Sequence, residues 1–404
     1  MKKLFLFICL TFLTSGFAQN IPYTILISFD GFRWDYTNRG LTPNIELLKN
    51  EGVSSLSLQP VFPSKTFPNH YSIITGQYPQ NHGIIANFFE NPITGEKYSL
   101  GDTNAVRNPY WYWGEAFWET AERQGIKCAS YFWPGSEVEL DYRRPTYYEK
   151  YDHVRPYSTR IDGIINWLSL PFEKRPKFIT LYFDAADTYG HRFGPNSKEI
   201  DFTIASLDSL IGNLVINLKK IEMYDSTNII LVSDHGMTEI SKERFIDIDK
   251  ILEGYNYKVD GNGPMVFINS ENKEITQLYD FLKASEKNFK VYLKDEIPNH
   301  FKFSQNYLFG DIIMIADMGW SIMTNKDLEN WGKYFNKGNH GYDNHHLDMH
   351  GYFIANGPSF KKNYKTGTLL NIDIYPLLCD IYKLTPKSNI DGKADRINFI
   401  LKED

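Results

Sequence analysis

The chain reads as a doubly wound α/β protein, with a mostly parallel central sheet, helices on both faces and a small α+β insertion. Three observations predict it. Continuous apolar, β-branched runs stand at TILISF (24–29), KFITLYF (177–183) and NIILVS (228–233), the texture of strands buried on both faces. Helical patterns separate these runs, the alternation that places parallel strands in one sheet. Between about 240 and 338 the texture changes to VDGNGPMVFIN, a helical stretch near 272–285, FKVYLKDE and DIIMIADMGWSIM.

Taken in order, residues 1–18, MKKLFLFICLTFLTSGFA, have a basic start, an apolar run and a small-residue exit. That is the pattern of a secretory signal peptide, with an apolar part too short to span a membrane. After the first strand, Thr42-Pro43 predicts a helix start and Gly52 its end. A short helix is expected from Asn69 to Thr75, closed by Gly76. GEAFWETAERQG (114–125) predicts a helix ahead of the strand-like IKCASYFW. Ile204, Leu207, Leu210, Ile211, Leu214 and Leu218 hold helical spacing on one apolar face. No other segment reaches transmembrane length.

Composition narrows the classes. The 404 residues are 42% hydrophobic and 23% charged, which excludes disordered and fibrous proteins. The net charge of −6, or −8 once Lys2 and Lys3 leave with the leader, argues against a basic nucleic-acid surface. Aromatic residues make up 16%, enough to line a cleft as well as a core. Cys128 and Cys379 are expected as buried free thiols, with one disulfide as the alternative.

Each strong strand runs into an acid: Asp30 in SFDGFR, Asp184 and Asp187 in YFDAADTYGH, and Asp234 in VSDHGM. Ligands of open α/β sheets bind outside the carboxyl ends of the strands. One such aspartate is ordinarily a cap or turn residue. Three on one edge repel each other unless a cation sits among them. Asp187 and His191 are four residues apart, so one helical turn presents both to one point. Asp234-His235 offers an oxygen and a nitrogen at a strand end, and GNHGYDN supplies His340 between glycines. Such oxygen and nitrogen donors suit zinc, with manganese or iron as alternatives. Thr66, in VFPSKTFPNH, falls near a helix N-terminus, whose partial positive charge favours an alkoxide and a phosphate. Metal coordination would activate its hydroxyl as a nucleophile; a simple cap is the other reading.

SFDGFRWDY, VFPSKTFPNHYSIITGQYPQNHGIIAN, YFWPGSEVE, DTYGHRFGP, SDHGM and GNHGYDN together resemble the nucleotide pyrophosphatase/phosphodiesterase family (type I phosphodiesterases) of the alkaline-phosphatase superfamily. The resemblance runs over nearly the whole chain after the leader. It implies one catalytic domain over 19–404 and two zinc ions per chain, one held by Asp187, His191 and His340, the other by Asp30, Asp234, His235 and the Thr66 oxygen. It further implies that Asn87 hydrogen-bonds a phosphoryl oxygen, and that Phe67 and Tyr151 stack a nucleobase. Thr66 would attack phosphorus to give a phosphothreonine that water, activated at the zinc centre, hydrolyses. Trp133-Pro134-Gly135-Ser136 stands where related monoesterases carry a Lys-x-Arg pair, which favours diesters. The expected substrate is a nucleotide or related small phosphodiester, with choline phosphodiesters and phosphate monoesters as alternatives. The expected location is periplasmic or secreted, and a non-enzymatic metal-binding role is disfavoured. Lys65 is read as a solvated or supporting charge and His70 and His82 as packing or supporting residues, with His345, His346 and His350 less suited than His340 as ligands.

Overall fold

The structure is a computed structural model that describes residues 21–270, 275–333 and 335–403. The leader expected over 1–18 lies outside the described residues. Among the described residues, eight strands form the central sheet: β1 (Tyr23–Phe29), β2 (Val53–Ser55), β3 (Cys128–Tyr131), β4 (Tyr147–Glu149), β5 (Phe178–Phe183), β6 (Thr227–Val232), β7 (Phe353–Asn356) and β8 (Tyr364–Thr366). Their order is β8-β2-β7-β6-β1-β5-β3-β4, and only β7 runs against its neighbours. The three apolar runs are thus the centre of the sheet, each within a residue of its expected bounds.

Both faces are covered, as continuous apolar strands require. Ile25, Ile27 and Phe29 of β1 face a layer holding Ile45, Ile161, Ile204 and Ile211. These come from helices α1 (Pro43–Glu51), α3 (Tyr157–Leu168) and α5 (Lys198–Lys220). Leu26 faces the opposite layer, with Ile73 and Ile74 of α2 (Thr66–Thr75) and Phe117. Each such side chain, fully buried, contributes about 1.5–3 kcal/mol.

Two local expectations change. Thr42 does not cap α1. Asp208 of α5 instead accepts from the backbone N–H groups of Asn44 (3.2 Å) and Ile45 (2.8 Å). A carboxylate brought in by packing outcompetes a neighbouring hydroxyl for those amides, because it carries full charge at the positive helix end. The helix expected over 114–125 is confined to Phe117–Arg123. Its entry is set by Glu119, whose Oε1 accepts from the Ala116 N–H at 3.0 Å. Cys128 and Cys379 are buried free thiols.

After β6 the chain builds a four-stranded antiparallel sheet from Tyr257–Asn262, Met265–Ser270, Ile312–Ala316 and Phe289–Leu293, with a helix at Ile275–Ala284. It has its own apolar cluster, including Val266, Ile268, Leu278, Leu282 and Val291. Its two ends are clamped where Thr238–Glu239 pairs antiparallel with Gly338–Asn339. That short ladder delivers His340 beside the exit of β6.

Candidate active site

Asp30 follows β1, Asp184 follows β5, and Asp234 lies just beyond β6. The loop after β1 turns at Gly31, with φ +67°, and a β-carbon there would stand 2.8 Å from the Asp187 Cα. Glycine therefore permits the close approach of this loop to helix α4 (Ala185–Phe193), which carries Asp187 and His191.

Two donor sets result. In the first, Asp187 Oδ1 lies 3.3 Å from His191 Nε2 and 3.4 Å from His340 Nε2, and the two imidazole nitrogens are 3.1 Å apart. His191 Nδ1 is 2.9 Å from the Gly338 carbonyl, and His340 Nδ1 is 2.8 Å from that of Ser64. A carbonyl only accepts, so both Nδ1 atoms carry the proton and both Nε2 atoms present lone pairs to the same point. In the second set, His235 Nε2 lies 3.3 Å from Asp30 Oδ1, 3.1 Å from Asp234 Oδ2 and 3.4 Å from Thr66 Oγ1. His235 Nδ1 is likewise tied to a carbonyl, that of Gly236, at 2.8 Å.

The donors fit metal ions. Ligands at about 2.0–2.1 Å from a tetrahedral zinc stand about 3.3 Å from one another, the spacing of both sets. Asp30 Oδ1, Asp187 Oδ1 and Asp234 Oδ2 are buried without a hydrogen-bond partner among the described residues. Orphaned buried carboxylate oxygens are costly unless a cation meets them. The electrostatics tell the same story. Burial, then Asp234 and Asp187, push the Asp30 carboxyl well above its ordinary range. Burial also opposes ionisation of Asp187 and Asp234, but His191 and His235 hold the first low, and His235 and His70 the second.

Thr66 is the first residue of α2, in the turn rather than at the cap, and its hydroxyl meets His235. The 61–65 loop before it is held by Asn69, which accepts from the Val61 N–H and donates to the carbonyls of Pro63 and Lys65. Asn87 Oδ1 accepts from the Phe67 N–H at 2.9 Å, and its amide nitrogen, without a partner among the described residues, can donate into the cleft that Asn87 lines. A cavity of about 360 Å³ opens here, lined by Thr66, Asn87, Asp187, His191 and His340, with Phe67 and Tyr151 among its walls. Trp133, Pro134 and Gly135 also line it, and its described lining contains no lysine or arginine. Asp234 and His235 lie fully buried beneath. A larger cleft of about 610 Å³ at Phe193–Ser197 and Glu239–Glu243 shares none of these donors.

All ten sequence-derived site residues thus converge. Asp184, the fourth strand-end acid, does not join the donors. It is matched by buried Arg160 and by the Tyr157 hydroxyl. His70 is fully buried under the site. Its Nδ1 donates to the Thr66 carbonyl at 2.9 Å and lies 3.3 Å from Asp234 Oδ2. That proton leaves no lone pair on the nitrogen facing the site, and the other, Nε2, is hydrogen-bonded to the Ser28 hydroxyl at 2.8 Å. Burial opposes its charge, yet Asp234 and Asp30 raise the imidazole above its usual range. His350 is occupied by Ser57 and the Asn344 carbonyl. Sequence reasoning missed Tyr182, whose hydroxyl donates to Asp30 Oδ2 at 2.6 Å. Inside an apolar strand run it carries no local signal.

Comparison with known proteins places this architecture. A family profile described as type I phosphodiesterase/nucleotide pyrophosphatase matches residues 24–343. Human ectonucleotide pyrophosphatase/phosphodiesterase family member 5 is 36% identical over 362 residues, covering 89% of this chain and 74% of that protein. A venom phosphodiesterase of Naja atra is 37% identical over 398 residues, covering 96% of this chain but only 47% of its own length. Among solved structures, murine ectonucleotide pyrophosphatase/phosphodiesterase 5, in an inactive threonine-to-alanine form in complex with AMP, superposes with a TM-score of 0.89 at 33% identity. It covers 94% of this chain and 100% of that one. The fold is thus that of an alkaline-phosphatase-like hydrolase. The chain belongs to the type I phosphodiesterase/nucleotide pyrophosphatase family, and is a phosphoric diester hydrolase.

Proposed function

We propose that this protein is an exported two-zinc hydrolase, a single catalytic domain over 19–404, that cleaves phosphodiester or pyrophosphate bonds of nucleotides and related diesters through a phosphothreonine at Thr66. The observation that carries the reading is the set of three orphaned buried oxygens, on Asp30, Asp187 and Asp234, ringed by lone-pair-bearing imidazoles beside one hydroxyl. Asp187, His191 and His340 would hold one ion; Asp30, Asp234, His235 and Thr66 would hold the other. Zinc bound there supplies Lewis acidity, lowering the cost of ionising the threonine hydroxyl and neutralising charge that builds on the phosphoryl oxygens.

The residues themselves set the geometry of the reaction. The Thr66 carbonyl is tethered by His70, which fixes the first turn of α2 and aims Oγ1 into the cleft. As the Oγ1–phosphorus bond forms, the bond to the leaving alcohol or phosphate breaks on the opposite side. Water then splits the phosphothreonine and returns the free hydroxyl. Asn87, oriented by the Phe67 N–H, offers its amide N–H to a phosphoryl oxygen. Phe67 and Tyr151 line the cavity where a base would stack. The AMP-bound neighbour, inactive after a threonine-to-alanine change, supports a threonine-dependent nucleotide site.

A cavity wall of Trp133-Pro134-Gly135 with no lysine or arginine offers nothing to the second charge of a monoester, which favours diesters. The test pairs elemental analysis with matched substrates. We expect about two zinc ions per chain, and a nitrophenyl nucleotide diester cleaved far faster than nitrophenyl phosphate. Metal-free active protein, or a monoester preference, would overturn the reading.

A further inference from the structure

A separate group of metal-ligating side chains lies on the surface, where the insertion meets the loop that continues from His340. His300 comes from the short helical turn Asn299–Phe301 of the insertion, and Asp343 and His345 from the returning loop. One donor atom of each lies within 4.8 Å of the others. His345 Nδ1 stands 3.3 Å from Asp343 Oδ1, and His300 Nε2 stands 3.9 Å from Asp343 Oδ2. Each oxygen of one carboxylate is therefore flanked by an imidazole. The two rings are perpendicular, with centroids 4.7 Å apart. The Asp343 carboxylate is itself oriented, because its Oδ1 accepts from the His345 backbone N–H at 2.9 Å.

We propose that His300, Asp343 and His345 form a third metal site, for zinc or a similar divalent transition-metal ion, that staples the insertion to the His340-bearing loop. Two imidazoles and one carboxylate are donors zinc takes readily. The chemistry matches that of the buried sets, but the geometry is looser. Donors spread over as much as 4.8 Å must close to about 3.3 Å around a tetrahedral ion. His300 and His345 are exposed and Asp343 is half-buried, so the remaining coordination positions open to water. The site is consequently weaker than the buried pair and fills only when free metal is abundant.

Its position gives it a mechanical consequence. The His300 ring packs on Phe301, centroids 4.1 Å apart, and Phe301 packs on Phe62 at 4.3 Å. Phe62 lies two residues before Ser64, whose carbonyl fixes the His340 tautomer. An ion here joins both sides of that contact, so binding should resist separation of the insertion from the core.

The proposal does not depend on the identity of the buried metals, because the test counts metal relative to a variant. Holoenzyme stripped of loosely bound ions is titrated with zinc by calorimetry, and the bound metal is assayed after equilibrium dialysis. Wild type should take up one equivalent beyond its tightly held complement and melt at a higher temperature as it does so. His345→Ala and the double variant His300→Gln/His345→Gln should lose that equivalent and the zinc-dependent rise in melting temperature. Both should keep the tight complement, the melting temperature without added zinc and the diesterase rate. His346→Ala, an exposed neighbour outside the cluster, should behave as wild type. Absence of the extra equivalent in wild type, or its persistence in the double variant, overturns the proposal.

Discussion

Tyr182→Phe removes one hydroxyl and leaves the ring, so its effect can be worked from the structure. The hydroxyl donates to Asp30 Oδ2 at 2.6 Å in a fully buried setting. The ring, 5.2 Å from His70 and 6.3 Å from Tyr151, keeps its packing. A hydrogen bond to a charged group is worth about 1.5–3 kcal/mol. Losing a hydrogen bond that orients a metal ligand typically costs about 10–100-fold in metal affinity, which is about 1.4–2.7 kcal/mol. The two independent routes agree. The sign of the pH effect also follows. Burial, Asp234 and Asp187 already raise the Asp30 carboxyl, and the Tyr182 hydrogen bond is among the few influences that lower it. Its loss raises Asp30 further, protons compete longer for that oxygen, and the acid limb of activity moves to higher pH. The assay is residual zinc and diesterase rate against a graded chelator, at several pH values, with the melting temperature of the metal-free protein as a folding control. Unchanged metal affinity and an unmoved acid limb, in a variant that folds normally, would refute the view that Asp30 is a ligand held in place by Tyr182.

Thr66→Ala should abolish diester turnover while retaining most of the zinc and the fold, because three carboxylates and three histidines would still hold the proposed ions; Thr66→Ser should keep reduced activity. Near-normal turnover in a zinc-loaded Thr66→Ala protein would rule out the nucleophile. Tyr151→Ala should cost roughly 5- to 150-fold in kcat/KM on nucleotide diesters, the equivalent of about 1–3 kcal/mol of base stacking, with a smaller loss on a diester lacking a base. Acid stability should depend on His82, whose burial pushes its imidazole down to about 3. It is neutral when folded, accepting from the Ile84 N–H and bonded to Ser72. Below the unfolded value of about 6.5 the unfolded chain binds the extra proton, so stability present above that pH is lost as pH falls toward 3, by about 2–3 kcal/mol at pH 4.5. Thermal melts from pH 7 to 4.5 should fall less steeply for His82→Asn than for wild type.

What the sequence determined by itself is what local chemistry can express. A strand buried on both faces must be apolar at every position, so β1, β5 and β6 are visible as uninterrupted runs, and the acids that end them are visible by contrast. The four-residue step from Asp187 to His191 needs only helical periodicity to be read. His340 stood out between its glycines in GNHGYDN, and the family resemblance extended the site to Asn87, Phe67 and Tyr151, residues that no local pattern links. The tertiary structure decided everything that rests on partners far apart in the chain. Asp208, not Thr42, caps α1, because α5 packs across its start. Arg160 removes Asp184 from the donor cluster. Carbonyls of Ser64, Gly236 and Gly338 choose the tautomers that leave the lone pairs of three imidazoles on Nε2. A two-residue ladder after nearly a hundred intervening residues carries His340 back to the strand end. Backbone carbonyls have no sequence identity, and an aspartate's charge does not say which arginine will meet it. Those choices exist only once the sheet has brought its edges together.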